Sequence, residues 1–131
     1  MYHIFISHAW GYSNHYETIK NWINSDYYLS RHWSDYSIPV YNPVDAHSKR
    51  ELKQKITNKI IPSNVIIILA GMYATHSEWI DYEIDEAVRM NKYIIGVKPW
   101  GQERVPRKIQ DNADIMVGWN SSSVINAIKA R

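Results

Sequence analysis

The chain has no cysteine, which removes disulfides, thiolate nucleophiles and cysteine-ligated zinc at once. It also lacks a strong charge of either sign. Fifteen basic residues face 13 acidic ones, a formal net charge of +2. No Lys/Arg run exceeds two residues, so neither nucleic acid nor an anionic membrane is an expected partner. No apolar run approaches the ~20 residues of a membrane span. The opening "MYHIFISHAW" has neither the basic n-region nor the apolar h-region of a secretory signal, and a cytoplasmic location is expected. The six histidines, at positions 3, 8, 15, 32, 47 and 76, include no i,i+4 pair, so no metal site is expected.

Several nucleotide and catalytic signatures are missing as well. There is no G-x-G-x-x-G after a strand, no G-x-x-x-x-G-K-[ST] and no G-x-S-x-G. The common phosphate cradles and the nucleophile elbow therefore drop out. A phosphorelay receiver needs an acidic pair after its first strand and an Asp ending its third. Ser7-His8 and Ala70-Gly71 stand there instead, which leaves the Lys-Pro echo in "VKP" (97–99) without meaning. Phenylalanine occurs once, against six Trp and ten Tyr. Those residues combine an apolar face with a polar handle, which suits a core boundary, a protein interface or a stacked nucleotide.

What is present is an alternation. A length of 131 residues fits one domain, 1–131, with a substantial core. "YHIFIS" (2–7) reads as a strand, and Asn14 with Glu17 as a capping box for a helix carrying Tyr16, Ile19, Trp22 and Ile23. The polar, aromatic "DYYLSRHWSDYS" (26–37) leads to a short strand "IPVY" (38–41), whose Pro39 suggests a sheet edge. "SKRE" (48–51) reads as a second capping box, opening a helix with the stripe Leu52, Ile56, Ile60 that stops before Pro62. "VIIILA" (65–70) and "YIIGV" (93–97) are continuously apolar, as parallel strands covered on both faces should be. Residues 98–112 read as a loop with a short helix. "DIMVGW" (114–119) reads as a fifth strand and "NSSSVINAIKA" (120–130) as a capped final helix. Five strands alternating with helices predict an open α/β sheet with right-handed crossovers and helices on both faces. Ligands of such sheets bind at the carboxyl ends of the strands. Here that edge comprises 7–14, 41–48, 71–79, 98–105 and 118–121.

One helix carries five acids in "HSEWIDYEIDEA" (76–87). Thr75 and Glu78 form a third capping-box pattern. Asp81, Asp85 and Arg89 follow at four-residue intervals and read as a solvated, charge-paired face, with Glu86 in water beside them. Glu83 differs. With Ile80, Ile84, Ala87 and Val88 as the buried stripe, Glu83 lies about 60–80° from its centre, one turn after Trp79. A carboxylate there either pairs with a nearby lysine or serves a site, and the helix pattern leaves both open.

"W-I-D-Y-E-I", with W-x-x-x-E after the third strand and then "NKYIIGV", resembles the TIR domain. "IFISHAW", a first strand ending in F-x-S, resembles its first motif. The likeness is to the compact TIR-like branch that includes the TIR proteins of Thoeris antiphage systems. It covers nearly the whole chain in element order, with its specific residues in 2–10 and 73–99. The resemblance implies a flavodoxin-like fold with strand order 2-1-3-4-5. It implies cleavage of NAD+, as substrate and without a resident cofactor, at the nicotinamide–ribose bond. The catalytic residue would be Glu83, and the product a cyclic or conjugated ADP-ribose signal that activates a partner effector protein.

Phe5, Ser7 and His8 would then face the pocket, with Asp45 of "NPVDAHS" as a further substrate contact. Trp10, Trp79 and Trp100 are candidates to stack on nicotinamide or adenine, or are structural. His8-Ala9 departs from the aromatic and basic residues that often follow this serine in TIR domains. One carboxylate can suffice for the chemistry. Nicotinamide leaves a cationic nitrogen as a neutral molecule, unlike the poor leaving groups for which O-glycosidases use two carboxylates. The alternatives are a non-catalytic TIR-like interaction module, with 26–37 as an assembly surface and homo-oligomerisation, and an enzyme similar to nucleoside deoxyribosyltransferases with a Glu nucleophile.

Overall fold

The computed structural model describes residues 1–9, 14–38, 45–99, 101 and 104–131. For Ala46 and for 74–76 it describes the main chain alone. Its elements are β1 (Tyr2–Ile6), α1 (Asn14–Ser25), β2 (Trp33–Asp35), α2 (Ala46–Ile60), β3 (Val65–Leu69), α3 (Tyr73–Arg89), β4 (Tyr93–Val97), α4 (Arg107–Asn112), β5 (Ile115–Val117) and α5 (Ser121–Lys129). Short 3-10 turns occupy Leu29–Arg31 and Ala70–Met72. All five strands are parallel, in the order β2-β1-β3-β4-β5. The expected α/β flavodoxin-like topology is the one observed.

Alternation along the strands divides the core. Phe5, Ile66, Ile68 and Ile94 meet Leu52, Ile56 and Ile60 of α2, Trp79, Ile80, Ile84 and Ala87 of α3, and Ile109 of α4. Ile4, Ile6, Val65, Ile67, Leu69, Ile95 and Val97 meet Ile19 and Ile23 of α1 and Val124, Ala127 and Ile128 of α5. β3 is central and buried at all five positions, which explains its unbroken apolar sequence.

The second strand is not where apolar character put it. It is the polar "WSD" at 33–35, hydrogen-bonded in register from Tyr2↔Trp33 to Ile4↔Asp35. Ile38 lies outside any strand and is buried in the α2/α3 layer, and the rest of "IPVY" lies outside the described residues. An edge strand pairs on one side only, so polar residues can form it. Side chains extend its hold: Ser37 Oγ accepts from the Ile6 N–H at 2.9 Å, and Tyr16 donates to Asp35 at 2.6 Å.

Two caps also differ from expectation. α2 begins before Ser48, with Asp45 as its N-cap and its carboxylate accepting from the Ser48 N–H at 2.7 Å. α3 begins at Tyr73, which places Thr75 inside its first turn and Glu78 exposed within the helix. No helix among the described residues is long and apolar enough to cross a membrane.

Candidate active site

The buried face of α3 is rotated from the expected one. Trp79, Ile80, Ile84 and Ala87 are buried, whereas Val88 is 46% exposed. At about 100° per residue, these four and Glu83 span ~140°, with Glu83 ~30° from their centre and Val88 ~110° away. Glu83 is therefore inside the core layer and 0% exposed. Its Oε2 accepts a hydrogen bond from the His8 N–H at 3.0 Å. Its Oε1 has no hydrogen-bond partner among the described residues. Burial pushes the carboxyl up from the ordinary 4.5 to about 8, against the smaller, lowering effect of the His8 amide.

The turn that meets Glu83 follows from how β1 ends. Ser7 continues the sheet, its N–H donating to Ile67 O at 2.8 Å. Its Oγ accepts from the Leu69 N–H at 2.9 Å, so the carboxyl ends of β1 and β3 are tied by a buried side chain. His8 then takes φ 55°, in the left-handed region. Its amide is thereby in hydrogen-bonding contact with α3. Phe5, 1% exposed, shares the α2/α3 core layer with Trp79, which is 7% exposed.

Of the sequence-selected residues, the turn after β1 brings the His8 amide to the α3 carboxylate, Ser7 is tied to β3 immediately before it, and Phe5 and Trp79 share the core layer that α3 faces. Asp45 caps α2, and its main hydrogen bond, from the Ser48 amide, lowers its pKa. Trp10 and Trp100 lie outside the described residues.

The remaining acids of α3 have other partners than expected. Asp85 pairs with Lys108 at 2.7 Å, and Asp81 accepts from the Tyr73 hydroxyl at 2.8 Å. Arg89 pairs with Glu86, not Asp85, at 2.8 Å through Nε. Glu86 is largely shielded, accepts from Thr57 Oγ1 at 2.6 Å, and is held down to about 2, chiefly by Arg89.

Sequence reasoning did not single out Gly71, Pro99 and His15, which converge at the same edge. A Cβ on Gly71 would lie 3.4 Å from Pro99 Cβ and 3.8 Å from His15 Nε2. The His15 ring packs edge-on to Trp119, their centroids 5.0 Å apart. The available signal was position alone: Gly71 and Pro99 each follow the end of a strand. A separate cleft of about 720 Å3 includes Tyr73, Arg104, Arg107, Gln110 and Asp111 in its lining but neither Glu83 nor His8. It adjoins the polar side of α3, where Tyr73 meets Asp81. Among the described residues no three His, Asp or Glu side chains cluster as metal ligands.

No curated protein matches the chain in sequence. Among solved structures, the Clostridium botulinum CMP N-glycosidase BcmB superposes with a TM-score of 0.60, covering 98% of this chain and 99% of its own at 12% identity. That likeness is one of fold. The family model described as Thoeris protein ThsB, TIR-like domain, matches residues 5–104, a span that contains the end of β1, the His8 turn and all of α3. The chain therefore belongs to the ThsB TIR-like domain family.

Proposed function

We propose that this domain cleaves NAD+ at the nicotinamide–ribose bond, with Glu83 as the catalytic carboxylate. The reading continues to a cyclic or conjugated ADP-ribose product that activates a separate effector protein in antiphage defence. One observation carries it: a single carboxylate, 0% exposed and pushed to about 8, held at the carboxyl end of β1 by a main-chain amide. Ionisable groups perturbed this far by burial concentrate at functional sites. Membership of the ThsB family supports the antiphage setting.

The chemistry asks little of the protein beyond that group. The bond to the cationic nitrogen breaks with its electron pair going to nicotinamide, and positive charge develops on the ribose. An ionised Glu83 against the ribose hydroxyls stabilises that charge in a poorly screened site. The substrate's own cationic ring favours the ionised form, opposing the burial that keeps Glu83 protonated in the free protein. Water, the adenine or a ribose hydroxyl then takes the anomeric carbon, and its identity sets the product. Phe5, Ser7, His8 and Trp79 are the proposed surroundings of the substrate, together with Asp45 from the α2 cap. The protein acts in the cytoplasm, as a homo-oligomer where association completes the site.

A second reading follows from the fold shared with a CMP N-glycosidase. A neutral pyrimidine base leaves its nucleotide as an anion unless protonated, and Glu83 held as an acid at neutral pH suits that task. The two readings predict opposite pH limbs. Release of nicotinamide from NAD+, and of cytosine from CMP, is followed with the purified protein across pH 6–9. The NAD+ reading expects nicotinamide, with kcat/KM rising with pH as free Glu83 ionises around 8. Cytosine release that falls over the same range would replace it with the second reading. Neither base released at high protein concentration would favour a binding module.

A further inference from the structure

Glu83 as it stands cannot touch a substrate, because it is 0% exposed and one of its oxygens already carries the His8 amide. Something in its surroundings has to give. The end of β1 is fixed, since Ser7 is tied to β3 by its own N–H and by its Oγ. α3 is fixed by Trp79, Ile80, Ile84 and Ala87 in the core. The next main-chain unit after the Ser7 ties is His8, whose φ of 55° is a conformation that residues with a side chain visit at a cost.

We propose that His8 is a positioning residue acting through its main chain. Its left-handed conformation holds Glu83 in a closed resting state, and turning of the Ser7–His8 peptide frees the carboxylate for the ribose hydroxyls. This rests on the assignment of Glu83 made above. Closed, Oε2 is held and Oε1 is left without a partner among the described residues. That is an unfavourable arrangement for a buried acid that has no substrate to meet. On opening, the carboxylate exchanges one main-chain donor for two hydroxyl donors, and the residue at 8 leaves the left-handed region. Turning of the peptide also admits water to the carboxyl, and that solvation outweighs the loss of the smaller, lowering His8 amide, so opening and loss of the Glu83 proton favour each other.

Three of the four other carboxylates of α3 are engaged, and the fourth, Glu78, is exposed. On α3, Asp81 is bonded to Tyr73, Asp85 to Lys108 of α4, and Glu86 to Arg89 and to Thr57 of α2. The buried stripe that α2 adds to the same layer is apolar, Leu52, Ile56 and Ile60. Among the described residues, what acts on the Glu83 carboxyl is its burial and the His8 amide.

The test separates the main chain of residue 8 from its imidazole. His8→Gly, His8→Asn, His8→Ala and His8→Val all remove the ring, but glycine and asparagine keep the left-handed conformation readily while alanine and valine oppose it. Carboxyl-13C glutamate labelling, with the Glu83 signal identified by its loss in Glu83→Gln, gives the titration midpoint of Glu83 in each variant.

The Gly and Asn variants are expected to stay near the wild-type midpoint, and the Ala and Val variants to fall by at least about one pH unit toward ordinary glutamate. Exchange of the residue 8 amide in Ala and Val should be faster by about tenfold or more. Nicotinamide release should be greater in Ala and Val than in Gly and Asn. A common midpoint in all variants that retain the wild-type circular dichroism overturns the proposal, as does the reverse order of release. If valine prevents folding, alanine carries the comparison. The predicted midpoint order without any nicotinamide release would support the hold on Glu83 while removing the NAD+ reading.

Discussion

At the level of single side chains, Glu83 is a carboxylate with 0% exposure whose Oε2 is held by the His8 amide. Counting Val88 into the apolar stripe pulled the stripe's centre away from Glu83. The structure restores it by exposing Val88 and burying Trp79. Sequence periodicity weighs a valine as core whether or not a neighbour covers it, and this one is left 46% exposed. Glu86 was misjudged for the opposite reason. Its partners, Thr57 of α2 and Arg89 three residues on, lie where a helix-by-helix reading sees only water. The role of Ser7 depends on a contact 62 positions away, the Leu69 N–H. Ser7→Ala leaves that buried donor without its acceptor and should lower unfolding free energy by about 1–3 kcal/mol. Urea unfolding measures this, and an unchanged midpoint would mean that the β1–β3 tie adds nothing.

At the level of elements, the buried strands β3 and β4 were legible because both faces are covered, so their composition alone announces them. β2 was not, because a three-residue edge strand needs no apolar run and is defined by partners on β1. The helices were legible as stripes, whereas two of their starts were not. Asp45 rather than Ser48 caps α2, and α3 starts at Tyr73, ahead of the Thr75 pattern. Capping boxes are local patterns, and which acceptor reaches the free amides depends on how the preceding chain arrives. The contact between α2 and α3 has a polar component that can be tested. Thr57→Val removes the hydroxyl that donates to Glu86 at 2.6 Å. It should cost about 1–2 kcal/mol at neutral pH. That cost should diminish in acid as Glu86, held near 2 in the fold, takes up a proton. An equal cost at both pH values would assign the effect to packing instead.

At the level of the molecule, alternation of strands and helices was enough to predict an open α/β sheet, whereas its order, β2-β1-β3-β4-β5, was implied only by the TIR resemblance. The catalytic reading adds a whole-molecule consequence. Glu83 binds its proton more tightly in the fold, at about 8, than in the unfolded chain, near 4.5. Below 4.5 this contribution to stability is fully present. It is lost as pH rises through the folded value, since the unfolded chain gives up its proton first. Glu83→Gln carries no such proton, so its stability should exceed the wild type's by up to a few kcal/mol at pH 9 and much less at pH 5. Denaturant unfolding at the two pH values checks the sign.

The central claim is that this one carboxylate performs the chemistry, and nicotinamide release from NAD+ by wild type, Glu83→Gln and the exposed-acid control Glu78→Gln tests it most directly. The account predicts a loss of at least ~100-fold for Glu83→Gln and near wild-type release for Glu78→Gln. Wild-type turnover by Glu83→Gln would contradict it.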